Sequence, residues 1–279
     1  MRMPELPEVE TVRRSLLPHV VGRQIVGLRL TDIPGVLGGA DPVIVAAMVT
    51  NRTIVGLRRR AKYLMFDLDD ATSLVVHLGM TGTLTLPHRS AAPLRFERLA
   101  VELDDGSDLR FADQRKFGRV IHASPDRMAQ IESRIGPEPL DSNFTSADLA
   151  QKLQRRTGRL KSVLLDQKLV GGLGNIYVDE ALFRARLHPL RNPSALSAVE
   201  VRRLHRAIRV VLREAIANRG TTFSSYRDGT GQEGGNQAFL QVYGRGRQGS
   251  PCLRCGLPLD CLVISGRSSH YCPNCQPLM

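Results

Sequence analysis

All five cysteines of the chain, Cys252, Cys255, Cys261, Cys272 and Cys275, lie in its last 28 residues. Four of them form two Cys-x-x-Cys pairs, with sixteen residues between Cys255 and Cys272. Two pairs at this spacing wrap a tetrahedral metal from two chain turns, and soft thiolates select zinc. Four thiolates leave no open coordination position, so one structural zinc is expected on Cys252, Cys255, Cys272 and Cys275. Cys261 falls outside both pairs and reads as a small buried or free thiol. The clustering points to a local device and not to a disulfide framework.

Other segments carry chemistry less specifically. Leu262-Val263-Ile264 followed by Ser265-Gly266-Arg267 reads as a β-hairpin, with Arg267 either offered to an anionic ligand or simply a solvated turn residue. Gly171-Gly172-Leu173-Gly174-Asn175 separates two apolar helical stretches. Such glycines let two helices meet in a tight turn, or let backbone N–H groups approach a phosphate; Asn175 is then a ligand-facing residue or a plain N-cap. Asp113-Gln114-Arg115-Lys116-Phe117-Gly118-Arg119 places an aromatic among cations. That combination suits insertion into a base stack, with the charges on phosphates, but it also describes a core Phe beside solvated arginines. Met80, in His77-Leu78-Gly79-Met80, and Lys62, after Arg58-Arg59-Arg60, divide between the same two kinds of reading.

The elements that must position these residues change character along the chain. Val9, Val12 and Leu16 recur at helical spacing after Pro7, and Pro18 is expected to stop that helix. Residues 22–123 read mainly as short strands, with Asp104-Asp105-Gly106 as a hairpin turn between Val101/Leu103 and Leu109/Phe111. Strands at this spacing suggest an antiparallel sandwich. Residues 136–141 read as a linker, and the pattern beyond them is helical. Val201, Leu204, Ile208, Val211, Leu212, Ala215 and Ile216 form one apolar stripe that ends at Asn218-Arg219-Gly220. The Gly-rich segment 227–236 reads as a mobile loop.

The balance of 39 Lys and Arg against 27 Asp and Glu gives a net charge of +12. A polyanion is the natural partner of such a chain, through counterion release from its phosphates. No apolar run reaches the 18 or more residues of a membrane span, and no secretory h-region is present, so a cytoplasmic protein is expected.

Taken together, seven segments resemble the formamidopyrimidine-DNA glycosylases, in the same order and over almost the whole length. They are Pro4-Glu5-Leu6-Pro7-Glu8-Val9-Glu10, Arg60-Ala61-Lys62-Tyr63-Leu64, His77-Leu78-Gly79-Met80-Thr81-Gly82, Arg115-Lys116-Phe117-Gly118, Gly136-Pro137-Glu138-Pro139-Leu140, Gly174-Asn175-Ile176-Tyr177 and Val242-Tyr243-Gly244-Arg245. The cysteine tail adds an eighth. The resemblance implies an α+β chain: an N-terminal antiparallel β-sandwich with flanking helices over 1–135, a helix–two-turn–helix domain over 136–240, and a zinc-finger β-hairpin over 241–279. It implies a monomeric enzyme of base excision repair, acting on double-stranded DNA with oxidised bases or abasic sites. It also implies roles. The amine of Pro4 is the nucleophile and Glu5 the acid/base on the sugar. Lys62 and Arg267 assist β- and δ-elimination while gripping phosphates. Met80, Arg115 and Phe117 fill the gap left by the flipped nucleotide. His77 and Asn175 hold backbone phosphates, Arg156 and Lys161 are further DNA contacts, and the 227–236 loop closes on the extruded base.

Two departures stand out. A His-x-His pair common in the family is replaced by Phe96-Glu97-Arg98, so a DNA contact is lost or passes to Arg98. Met1-Arg2 also precede Met3, whereas the chemistry expects the working enzyme to start at Met3 and to expose Pro4 once that methionine is removed. An endonuclease VIII-like enzyme for oxidised pyrimidines is the near alternative, and a non-catalytic zinc-dependent DNA binder the distant one.

Overall fold

The structure, a computed structural model, describes residues 3–30 and 34–278. Met1 and Arg2, which bear on the expected start at Met3, lie outside the described residues. The chain divides into two compact units: Met1–Ser133 with Ile216–Gln237, and Arg134–Ala215 with Ala238–Met279.

The first unit contains α1 (Leu6–Val20), β1 (Ile25–Leu30), α2 (Pro42–Val49), β2 (Ile54–Arg60), β3 (Tyr63–Leu68), β4 (Ser73–His77), β5 (Thr83–Thr85), β6 (Glu97–Leu103), β7 (Asp108–Ala112), β8 (Arg119–Ala123) and α3 (Pro125–Ser133). Its strands form two antiparallel sheets, ordered β1-β6-β7-β5 and β2-β3-β4-β8. Leu99, Val101 and Phe111 from one sheet join Leu64, Phe66 and Val76 from the other in a single core, with Val9, Val12 and Leu16 of α1. The β6–β7 hairpin turns at Asp104-Asp105-Gly106 as read. Gly106 takes φ +83°, and Ser107 donates its N–H and hydroxyl to Asp105 Oδ1 at 3.0 and 2.6 Å.

Two readings of this unit need correcting. Pro18 lies inside α1, because in the last turn a proline forfeits a single hydrogen bond. Fully buried Leu16 and Val20 hold the turn, and the Val21 N–H closes it on the Leu17 carbonyl. Helix α2 falls where strands were expected. Its start was legible: Asp41 accepts the Val43 and Ile44 N–H groups, and Pro42 occupies the first helical turn. Its pattern was not, since Val43, Ile44 and Met48 are exposed and no apolar stripe stands out.

The second unit contains α4 (Ser146–Gln154), α5 (Leu160–Leu164), α6 (Asn175–Ala185), most of α7 (Ala198–Ala217), β9 (Asp260–Ile264) and β10 (Arg267–Tyr271). The predicted stripe on α7 is buried from Val201 to Ala215. The 136–141 linker is sewn to the turn between α5 and α6. The Gly136 N–H donates to the Gln167 carbonyl at 2.8 Å and the Gly171 N–H to the Pro137 carbonyl at 3.0 Å. Gln167 fills the turn, accepting from the Gly172 N–H and donating to the Leu173 carbonyl. A side chain at position 136 would meet the Lys168 carbonyl oxygen at 2.5 Å, so only glycine fits there.

Residues 216–237, grouped by sequence with the helical domain, instead belong to the first unit. The Thr221 N–H donates to Glu8 at 2.7 Å, the Tyr226 hydroxyl to the Glu8 carbonyl, and the Gly229 N–H to the Ser15 hydroxyl at 2.8 Å. Nor is 227–236 a loose loop. Buried Asp228 accepts from Thr230, from the Gln232 N–H and from the Arg219 guanidinium, which gathers the segment around one carboxylate.

Candidate functional site

Pro4 and Glu5 are buried at the entrance to α1, with Glu5 at its N-cap. Glu8, one turn on and also buried, accepts the Glu5 N–H at 2.9 Å. Its other oxygen takes the Thr221 N–H, so one carboxylate fixes both the helix start and the 219–236 segment. An acidic residue three positions after the cap is the sequence signal of such a clasp.

Lys62 sits in the two-residue turn between β2 and β3 and is mostly buried. The basic run before it is not a free solvated face. Arg58 pairs with Asp67 and Arg59 with Glu10. Burial would raise the Glu10 pKa. Hydrogen bonds from Arg13 and Arg14, with the charges of Arg13 and Arg59, overcome this and hold it at about 2. His77, at the end of β4, accepts the Gly79 N–H on Nδ1 at 3.2 Å and stacks at a tilt on Tyr63, 4.8 Å between centroids. Burial first, then the charges of Lys62 and Arg119, push its pKa down to about 4. At neutral pH His77 is therefore uncharged, with its proton on Nε2, and acts as a directional donor.

Phe117 is 52% exposed, and the Arg115 guanidinium lies 4.8 Å from its ring centroid. Met80 is half-buried and outside the core. The loops carrying them are pressed together: a side chain at Gly79 would sit 2.5 Å from the Gly118 nitrogen. Asp113, missed by sequence reasoning as a working residue, is buried between them and accepts N–H groups from Arg115 at 3.1 Å and Gly118 at 2.7 Å. Arg98 turns away from solvent. It is buried, with Nε donating to the Asp113 carbonyl at 2.9 Å, and so supports this loop from behind.

In the second unit Gly174, not Asn175, caps α6. That removes the plain N-cap role for Asn175, which instead donates to the Tyr243 hydroxyl at 3.2 Å. Tyr243 is held in turn by Glu180, whose carboxylate accepts the N–H groups of Gln241, Val242 and Tyr243 at 2.8–3.0 Å. Arg156 pairs with Asp166 at 2.9 Å and keeps 41% of its side chain exposed, so it can still meet an anion. Arg267 is exposed at the tip of the β9–β10 hairpin, after Ser265 and Gly266 at φ +48° and +70°, a turn in which both central residues are left-handed.

Lys161 corrects the sequence reading. Its side chain is 0% exposed and cannot touch a phosphate. Nζ lies 2.7 Å from Asp179 of α6 and donates to the Ser268 carbonyl of β10, while Asp179 also accepts the His270 N–H. Burial pushes the Asp179 carboxyl up to about 7 against the pull of Lys161. The pair clamps β10, the strand that begins at Arg267. Lys161→Ala strands a buried carboxylate and is expected to cost about 3–5 kcal/mol of stability in denaturant unfolding. A loss below about 1 kcal/mol would return Lys161 to the surface role.

The four sulfurs of Cys252, Cys255, Cys272 and Cys275 lie within 4.8 Å of one another. Cys252 and Cys275 are 4.0 Å apart, and Cys255 and Cys272 3.6 Å. A zinc tetrahedron with ~2.3 Å bonds has edges of roughly 3.8 Å, so these donors fit one ion. The N–H groups of Arg254 and Cys275 point at the Cys252 and Cys272 sulfurs at 3.4 Å, as in thiolate knuckles. The site is a closed structural zinc site; Cys261 lies on β9, outside it.

Comparison with known proteins agrees with this arrangement. The model of the formamidopyrimidine-DNA glycosylase N-terminal domain matches residues 3–120, that of the family's H2TH domain residues 135–227, and that of a zinc finger found in FPG and IleRS residues 249–278. The formamidopyrimidine-DNA glycosylase of Herpetosiphon aurantiacus is 46% identical over 274 residues, 98% of this chain and all of the relative. That of Chloroflexus aurantiacus is 44% identical over 99% of both chains. A Lactococcus lactis Fpg solved with DNA containing an abasic site superposes with a TM-score of 0.91 at 37% identity, over 98% of this chain and all of its own. The Fpg of Thermus thermophilus gives 0.87 at 42% identity, over 98% of both. With sandwich, helical turn and zinc finger each matched in order, the chain belongs to the formamidopyrimidine-DNA glycosylase family.

Proposed function

We propose that this enzyme excises oxidised purines, 8-oxoguanine and formamidopyrimidines, from duplex DNA and then cuts the strand at the resulting abasic site, within base excision repair. The observation that carries the reading is the pairing of Pro4 and Glu5, buried side by side immediately ahead of the N-terminus of α1. A free proline amine there lies beside the positive end of the helix. That field lowers its pKa from the usual α-amino value near 7.7–8.0 and enlarges the neutral, nucleophilic fraction.

The neutral amine attacks C1′, the C1′–N bond breaks, and the base leaves with its electron pair and a proton. The product is a covalent iminium between Pro4 and the opened sugar, with Glu5 moving the proton on the sugar. The iminium withdraws electrons and acidifies C2′. Loss of that proton expels the 3′-phosphate, and a second elimination expels the 5′-phosphate. Lys62 and Arg267 assist the two eliminations and neutralise the departing phosphates. His77 donates through Nε2, and Asn175 through its amide, to backbone phosphates. Arg156 adds a peripheral contact. Met80, Arg115 and Phe117 occupy the space vacated by the extruded nucleotide.

The test is strand cleavage on matched duplexes carrying 8-oxoguanine, thymine glycol or an abasic site, with borohydride trapping. Preference for 8-oxoguanine and a trapped adduct are expected. Preference for thymine glycol would move the enzyme to the pyrimidine branch, and binding without cleavage would leave a DNA binder. A wedge, unlike a core residue, can be removed without unfolding the protein. Phe117→Ala is therefore expected to impair excision while changing stability by less than about 1 kcal/mol, against roughly 3–5 kcal/mol for a buried Phe. Thermal denaturation of that variant decides between the two.

A further inference from the structure

We propose that Asp113 and Thr81 form a latch that sets Met80, Arg115 and Phe117 as one unit, and that this latch governs recognition of damage in duplex DNA without taking part in strand cleavage. The proposal rests on the wedge reading of those three side chains.

Thr81 and Asp113 are both buried. The Thr81 hydroxyl donates to Asp113 Oδ1 in a short hydrogen bond and accepts the Arg115 N–H at 3.1 Å. Asp113 Oδ1 takes the same N–H at 3.1 Å, and Oδ2 takes the Gly118 N–H at 2.7 Å. One carboxylate thus holds the backbone on both sides of Lys116 and Phe117 and, through Thr81, the turn that carries Met80. Behind it, the Asp113 N–H donates to the Phe96 carbonyl at 3.0 Å and its carbonyl accepts from Arg98, so the anchor is itself fixed to the sheet.

The loop needs this. Lys116 sits at φ +60°, a left-handed conformation that a lysine adopts only when its surroundings impose it. Gly118 has no room for a side chain, which would lie 2.3 Å from the Phe111 ring. With the carboxylate removed, the Arg115 and Gly118 N–H groups lose their acceptor and the exposed Phe117 loses its fixed direction. Inserting it into a stack then requires ordering the loop at the moment of binding.

The test uses Asp113→Asn, which keeps the shape but turns an amide donor toward an N–H group. Three readouts separate recognition from chemistry: excision of 8-oxoguanine from duplex DNA, cleavage of a single-stranded abasic oligonucleotide, and the fluorescence of 2-aminopurine placed opposite the lesion, which reports insertion. Asp113→Asn is expected to lower duplex excision roughly 100-fold, the scale set by an ångström of misplacement. It should abolish the fluorescence rise and leave single-stranded cleavage at the wild-type rate. Thr81→Val should behave likewise, and Thr81→Ser, which restores the hydroxyl, should recover both signals. Combined with Phe117→Ala, Asp113→Asn should add less than its separate loss, because Phe117 is one of the three side chains the latch sets.

Full-rate duplex excision by Asp113→Asn, equal losses on both substrates, or multiplying losses in the double variant would each overturn the latch. If Asp113→Asn fails to fold, the Thr81→Val and Thr81→Ser pair decides alone. Full-rate excision by Phe117→Ala would instead overturn the wedge reading, and the latch with it.

Discussion

Protein that keeps Met1-Arg2-Met3 ahead of Pro4 is expected to bind abasic duplex DNA and yet fail to be trapped on it by borohydride, whereas protein beginning at Pro4 should be trapped efficiently. The reason is electronic. Inside a chain the proline nitrogen is a tertiary amide whose lone pair is delocalised into the preceding carbonyl. It can neither attack C1′ nor form an iminium. Once the peptide bond is absent, the same atom is a secondary amine whose pKa lies close to physiological pH. Removal of the methionine before a small residue such as proline achieves this from Met3. Intact mass of protein from its native host, followed by trapping, makes the measurement. Full trapping by the form that retains Met1 would exclude Pro4 as nucleophile and bring in a lysine, with Lys62 first to be tested.

The parts of the fold that were legible in sequence are those written in local chemistry. Cysteine spacing specified the zinc site, Asp104-Asp105-Gly106 its hairpin, and the apolar repeat of α7 its buried face. The segment of Arg115 and Phe117 reads in sequence as a wedge or as a core Phe beside solvated arginines, and it is the exposure of Phe117 that favours the first. What could not be read is non-local. Nothing in the spacing of Lys161 reveals that it meets Asp179 and the Ser268 carbonyl, 107 residues away, so a basic residue in a basic protein was assigned to DNA. Asp113 resembles any loop aspartate until its acceptors are seen filled by Arg115, Gly118 and Thr81. Segment 227–236 looked loose because glycine and polar composition reports freedom in the unfolded chain and is silent on what a buried carboxylate such as Asp228 gathers. The return of 216–237 to the first unit likewise depends on Glu8, more than 200 positions away.

The same contrast between local and non-local stabilisation sets the outcome of removing the metal. Cys272→Ser is expected to abolish zinc binding and, with it, the proposed DNA binding and strand cleavage. The zinc finger has a small core. Its core is Phe183, Val242, Cys252, Leu259 and Cys272, with Cys275 against it, so half of these residues are the ligands themselves. Among the described residues β9 and β10 pair only with each other, and a two-stranded ribbon stands in water only with packing of the kind β10 finds on α6. Against this, a structural zinc contributes on the order of 10–16 kcal/mol to folding of such a unit. A serine hydroxyl is a poor ligand for the ion, and the vacated position admits water. The knuckle bond from the Cys275 N–H to the Cys272 sulfur is lost as well. The Lys161–Asp179 clamp holds Ser268 and His270 of β10, and the Ser162 and Ser265 hydroxyls hydrogen-bond at 2.9 Å, but none of these contacts replaces the cysteine knuckles. Arg267 is therefore expected to lose part of the geometry proposed for meeting a phosphate. Cys261→Ser is the matched control: its sulfur is half-buried on β9 and outside the tetrahedron. Metal analysis should give about one zinc per chain for wild type and for Cys261→Ser, and none for Cys272→Ser. Electrophoretic mobility shift on abasic duplex DNA should follow the same order. Zinc lost from the Cys261 variant would overturn the ligand set, and full DNA binding by zinc-free Cys272→Ser would show that the hairpin stands without the metal.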